Sequence, residues 1–413
     1  MTDTALHRET SLEQMAQRAI ERLEALREPL TQWVASVRAD DGSPGRFKWA
    51  IKSTRPANVA ATAYILNGLR HANLIDRVIT EADRSAGASW IRSLCHGNEQ
   101  YRDPALMDRK TPGWDEAAPW PSPAMLEGIN QYARTALRIY AGNTDPLPPQ
   151  EPPPGWPNFA EAEAKALEWI TTRPWHTNPW AACSHMARMG TYLLQWHQRG
   201  LISLDPLIGA IRFWYHIQDR SDGLWGAQSV PLQHRINGAF KLFPLIMDQL
   251  DLPLPRAERI IDRVFDAFDA PEYEATVGAC DEWDNWYVMA LAHDKAPQYR
   301  DDDIRRLAAW RIIRIADLFH KNDGGFSYGV TTCQTDWIGF DMAPALPQSD
   351  AIGFSLLALS LNVCVDILGL QSKTRWPGTW RMRADQRPPE ELRQKIIRRV
   401  FTGDLQFDKP PCP

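Results

Sequence analysis

Apolar positions recur along the chain at three- and four-residue spacing far more often than in alternation, which predicts helices and few strands. The helices come in pairs of contrasting character. One member is long and charged, as in LEQMAQRAIERLEALREPLTQWVASVR or DIRRLAAWRIIRIADLFHK. The other is rich in small and apolar residues, as in NVAATAYILNGL, SHMARMGTYLLQW or DAIGFSLLALSLNV. A charged helix suits an outer, solvated layer, and a smooth one suits an inner layer buried on most sides. The predicted pairs are 10–38 with 57–71, 74–94 with 122–139, 159–171 with 180–198, 203–219 with 234–250, 255–268 with 282–293, and 302–320 with 350–366. A last helix near 388–401 closes the series or begins a seventh pair.

The connections from the charged to the smooth member share a theme. They read DDGSPGRFKW, RSDGLWG and NDGGFSYG, each with Asp-Gly followed by an aromatic residue. Glycine after aspartate makes a tight turn and ends the preceding helix. A unit recurring in this way predicts a repeat architecture. Hairpins of outer and inner helices that close on themselves give an all-α fold, an α/α toroid of about six to seven hairpins. The expectation is one domain over 1–413, with the Pro-rich segment TDPLPPQEPPPGWPNF (144–159) as a stiff connection.

The DGLWG and DGGFSYG turns resemble those ahead of inner helices in α/α-toroid proteins. That group includes terpene cyclases, protein prenyltransferase β-subunits, glycosidases and polysaccharide lyases. The resemblance implies a toroid whose inner-helix ends, with the loops feeding them, form the mouth of a cavity.

Composition narrows the partners. The formal net charge is -5, so no global basic field recruits nucleic acid. No apolar run approaches the roughly 20 residues that span a bilayer, so no membrane partner is expected. The start, MTDTALHRETSLEQ, lacks the apolar core of a secretion signal. The chain as written is therefore expected in the cytoplasm, or outside it if a leader has been removed. Six cysteines (Cys95, Cys183, Cys280, Cys333, Cys364, Cys412) show neither zinc-site nor disulfide-scaffold spacing. No metal or cofactor motif stands out. Tryptophan does, at 18 of 413 residues. Many lie in Gly- and Pro-rich loops, among them Trp49, Trp114, Trp120, Trp156, Trp175, Trp180, Trp225, Trp337 and Trp376, where a flat ring suits stacking on a ligand.

Polar side chains gather in those same loops. GRFKWAIKSTRPAN offers Arg46, Lys48, Lys52 and Arg55; RPWHTNPWAACSH offers Arg173, His176, Asn178, Trp180 and His185. The fourth loop offers Trp225, Gln233, His234, Arg235 and Asn237; CDEWDNWY offers Asp281, Glu282, Asp284, Asn285 and Tyr287. The sixth adds Tyr328, Asp336, Asp341 and Asp350.

Histidine, arginine and asparagine together suit an acidic sugar. Arginine grips a carboxylate through two parallel hydrogen bonds, asparagine donates to the same group, and a neutral imidazole accepts a proton. β-Elimination at a uronic acid needs this set, because the charge developing beside the carboxylate must be stabilised while the C5 proton leaves. The residue types are similar to the Asn, His, Arg and Tyr of toroid polysaccharide lyases acting on alginate or glucuronan, although the NNHxxW-like signature of one alginate-lyase group is absent. That likeness implies a carbon–oxygen lyase with no cofactor and an anionic polysaccharide or oligosaccharide as partner. It implies His234 or His185 as base, Tyr328 or Tyr287 as proton donor, and Arg235, Asn237 and Asn178 on the carboxylate. Trp120, Trp180 and Trp225 would stack sugar rings, with His176, Arg55, Lys48 and Glu282 completing the substrate-binding set.

Other assignments stay open at this level. His234 and Arg235 also suit a cap or an ion pair in a helix-rich core, and the basic loop 46–55 also suits a solvated surface. Asp115, Glu116, Glu282 or Asp284 would serve a glycoside hydrolase. The aromatic richness suits a terpene cyclase, but neither DxDD nor DDxxD occurs; DDDIRR at 301–306 opens a charged helix and reads as a helix start. A carbohydrate-binding protein would need the tryptophans and no acid–base pair.

Overall fold

Helix starts in this chain are written locally. Ser11 accepts from the Gln14 backbone N–H, and the Gln14 side chain accepts from the Ser11 backbone N–H, a reciprocal capping box. Asn58, Ser122, Asn178 and Asp350 each cap a later helix with their own side-chain oxygens. The computed structural model describes residues 11–96, 100–108, 110–112, 120–141, 152, 155–381 and 387–402. It is 60% helix and 4% strand, which makes the class all-α.

In chain order the helices are α1 (Leu12–Ser36), α2 (Val59–His71), α3 (Ile75–Val78), α4 (Glu81–Ser93), α5 (Pro104–Met107), α6 (Pro123–Tyr140), α7 (Ala162–Thr171), α8 (Pro179–Gln198) and α9 (Asp205–His216). There follow α10 (Leu232–Leu242), a π turn (Phe243–Met247), α11 (Asp248–Leu250), α12 (Ala257–Phe268), α13 (Tyr273–Thr276), α14 (Ala279–Lys295), α15 (Asp301–Leu318), α16 (Ala351–Leu368) and α17 (Glu390–Phe401). Two short antiparallel ribbons interrupt them: β1 (Cys95–His96) with β2 (Gln100–Tyr101), and β3 (Asp336–Trp337) with β4 (Phe340–Asp341).

The chain divides into two compact units, each assembled from separate stretches. The first comprises Met1–Leu147, Glu274–Trp283 and Asp302–Trp380. Its centre is α2 packed between α16 and α6, with α4 against α6. A Cβ at Gly68 of α2 would lie 2.5 Å from the Phe354 ring of α16, so the two helices meet where no side chain intervenes. Trp33 of the charged helix α1 meets the same Phe354 at 5.5 Å between ring centroids. Helix α16 is long and apolar enough, by length and composition, to cross a bilayer; 78% of that window is buried inside the protein, the pattern of a core helix.

The second unit comprises Pro148–Tyr273, Asp284–Asp301 and Arg381–Pro413. Here α8 packs against α10, α7 against α9, and α17 against α9. Pro244 cannot donate to the carbonyl four residues back, and the α-helical ladder of α10 gives way to the π turn around it. A Cβ at Gly238 of α10 would stand 3.1 Å from the backbone carbonyl of Pro179, the first residue of α8. The start of α8 therefore rests directly on the middle of α10.

Candidate functional site

The RSDGLWG turn sets up the second unit's polar cluster. Gly223 takes φ +78, where a β-carbon is strained. The Gln218 side chain donates to the Gly223 carbonyl at 2.8 Å. Trp225 is driven fully inside, stacked on Trp214 at 4.5 Å, with its indole N–H on the Trp214 carbonyl. Asp222 is buried and faces Arg235 of α10. The guanidinium donates from Nη1 to Oδ2 at 2.6 Å and from Nη2 to Oδ1 at 3.0 Å. Two expectations are corrected here. Arg235 is the buried half of an ion pair, so it is not offered to a substrate carboxylate. Trp225 has its face covered by Trp214, so it offers no sugar platform.

One or two residues to either side along α10, the side chains point elsewhere. Gln233, His234 and Asn237 are half-buried. Gln233 Nε2 donates to Asn237 Oδ1 at 2.7 Å and to Asn285 Oδ1 at 2.9 Å. Asn285 Nδ2 returns a bond to Gln233 Oε1 at 3.2 Å and donates to the Tyr273 hydroxyl at 3.1 Å. Asn285 and Tyr273 are buried, so the network is anchored inside and reaches solvent at Gln233 and Asn237. With the Asn237 oxygen held by Gln233, its NH2 group is turned away from Gln233. Positions 233, 237 and 241 repeat every four residues and share one helix face. Lys241 Nζ lies 5.5 Å from the Trp180 ring centroid, and Lys241 pairs with no carboxylate among the described residues. Trp180, at 44% exposure, has an open ring.

The neighbouring candidates of this unit fall into other roles. Asn178 spends its Oδ1 on the Ala181 N–H as the cap of α8. His176 is exposed, and its carbonyl accepts from the Ala227 N–H at 3.1 Å. His185 sits edge-on to Trp156 at 5.2 Å, and burial, helped by the Arg173 charge, lowers its pKa. Tyr287 is fully buried and donates to Asp248 at 3.3 Å. Asp248 also binds Arg381 and Arg387. A phenol so enclosed is not a donor to a polymer, which corrects that expectation. Asp284 is fully buried as well.

In the first unit the basic loop is used internally. Lys48 is buried against Asp40 at 2.6 Å. Arg55 is buried and donates to the carbonyls of Asp341 at 2.8 Å and Leu106 at 3.1 Å. Neither is available to a substrate, contrary to expectation. Glu282 is enclosed with Arg311, at 3.1 Å from Nε and 2.8 Å from Nη2; this pair removes it from both sugar binding and hydrolysis. Trp120 is half-buried, with its indole N–H on the Met107 carbonyl and its ring edge-on to Phe340. Tyr328 is half-buried, and its backbone N–H donates to Asp350. Of the loop tryptophans, Trp49, Trp175, Trp225, Trp337 and Trp376 are core residues. Trp114, Asp115, Glu116 and Cys412 lie outside the described residues.

Tyr273 was not among the residues the sequence singled out. It follows Pro271 and Glu272 in an apolar-poor stretch, and its hydroxyl joins the network by accepting from Asn285. No group of three or more His, Cys, Asp or Glu is placed to hold a metal among the described residues. Comparison of the chain with family models, curated proteins and solved structures returns no match.

Proposed function

We propose that the protein is a carbon–oxygen lyase that cleaves a uronate-containing polysaccharide by β-elimination. The observation that carries this is the half-buried face of α10 that bears Gln233, His234, Asn237 and Lys241. The Asn237 amide, its oxygen held by Gln233, shares this stretch with the His234 imidazole and, one turn further on, with a lysine that pairs with no carboxylate among the described residues. The open ring of Trp180 adjoins that lysine. The toroidal arrangement belongs to the same proposal. The Asp-Gly turn followed by an aromatic residue recurs three times along the sequence, each time ahead of a predicted inner helix.

On this proposal Lys241 draws the uronate carboxylate in and Asn237 donates to it, while Gln233 spends both its N–H groups on Asn237 and Asn285 and serves to orient the amide. The bonds to the carboxylate strengthen as the C5–H bond breaks and charge moves onto it. His234 takes the C5 proton. The C5 electron pair forms the C4–C5 double bond, the C4–O4 bond breaks, and the imidazolium returns a proton to the departing O4. One residue thus acts as base and then as acid. Asn285 and Tyr273 hold the amides without touching the sugar.

The test is turnover of uronate polymers by His234→Ala and Asn237→Ala. Loss of the general base should slow turnover by about 10²–10⁴, and loss of the amide donor by about 10²–10³, with unfolding midpoints within a few degrees of the parent. Unchanged turnover in both would remove α10 from the site.

A further inference from the structure

The second unit contains a cleft of about 670 Å³ that takes no part in the site above. Its walls are Arg220 from the RSDGLWG turn, Leu254, Arg256, Glu258 and Arg259 at the start of α12, and Lys295 at the end of α14. Four cations thus face one carboxylate, in a chain whose formal net charge is -5. Lys295 is matched by Asp251 at 2.7 Å. Arg256 donates to the Gln218 side chain at 2.9 Å, among other contacts. Arg259 donates to the Arg220 backbone carbonyl, also neutral. Arg220 and Arg259 pair with no carboxylate among the described residues. Cations that line one cleft without matching carboxylates raise the positive potential inside it. The first turn of α12 adds to the field, because no side chain caps it.

We propose that this cleft binds a phosphoryl group, carried by a small phosphorylated ligand or free in solution. A phosphoryl group presents three or more oxygens and up to two negative charges to planar guanidinium forks, against a carboxylate's two oxygens and one charge. The volume accommodates a phosphorylated monosaccharide, and the buried Leu254 side chain supplies an apolar contact for its ring. The site is independent of the proposed lyase chemistry.

Titration calorimetry on the full chain tests it, with inorganic phosphate and glucose 6-phosphate as probes. Saturable binding of one equivalent is expected, weakening with added salt. Tighter binding of the sugar phosphate supports a phosphorylated ligand; equal binding supports free phosphate as the source. Arg220→Ala and Arg259→Ala should each weaken binding roughly tenfold, the worth of one charge-assisted hydrogen bond. Arg263→Ala, an exposed arginine of the same helix paired with Asp266, should leave it unchanged. No saturable heat with either probe, or equal affinity in the Arg220 and Arg259 variants, would overturn the proposal.

Discussion

Arg235 stands between His234 and Ile236, yet its side chain does something neither neighbour does. Successive helical residues are rotated by about 100°. His234 therefore stays half-exposed, while Arg235 turns inward to Asp222, thirteen positions earlier in the chain. Replacing Arg235 with Met leaves the Asp222 carboxylate buried and unpaired and should cost about 3–5 kcal/mol in a urea unfolding curve. Adding Asp222→Leu to that variant should recover most of the loss; no recovery would mean that the pair is not the cause. The identity of the polar residues was legible in the sequence, and so was their clustering in the loops. Which of them would be spent on structure was not. Arg55, Glu282 and Tyr287 find their partners across tens of residues, at Asp341, Arg311 and Asp248, and local spacing carries no information about such meetings.

Helices were far more legible than side-chain roles, because their signals are local. The predicted 57–71, 122–139 and 350–366 correspond to Val59–His71, Pro123–Tyr140 and Ala351–Leu368, and each begins at a capping side chain. The predicted 74–94 is broken at Ile79–Thr80, since Thr80 accepts from the Asp83 N–H and opens a new helix. The contacts between helices are less visible in sequence and more sensitive to change. Gly68→Ala would push a β-carbon into the Phe354 ring and should lower stability by about 1–3 kcal/mol, read by thermal melting. Gly238→Ala is milder, because its new carbon would meet the Pro179 carbonyl at 3.1 Å. It should shift the start of α8, and with it Trp180, so that turnover falls further than stability does. A variant with parental turnover would show that the seating of α8 on α10 does not govern the site.

For the molecule as a whole, pH acts through buried carboxyls as well as through any catalytic group. Burial raises the Asp350 carboxyl to about 7, although the N–H groups of Gly353, Tyr328 and Gln334 favour its charged form. An unfolded chain releases that proton near pH 3.9. Between about pH 4 and 7 the folded state therefore holds a proton the unfolded state has lost, and this group's contribution to stability falls as pH rises. The stability lost in Asp350→Asn should accordingly shrink between about pH 5 and 7.5, when melting curves of variant and parent are compared across that range; a growing loss would mean that the ionised form is the favoured one. The central claim, however, is chemical. Elimination creates a double bond conjugated to the uronate carboxylate, and that product absorbs in the ultraviolet where the intact polymer does not. The decisive measurement is absorbance while the protein is mixed in turn with alginate, glucuronan, pectate, hyaluronan and heparin. A signal that rises on one polymer, and fails to rise with His234→Ala, is the predicted result. New reducing ends without absorbance would identify a hydrolase instead, and silence in both assays on every polymer would contradict the proposed activity.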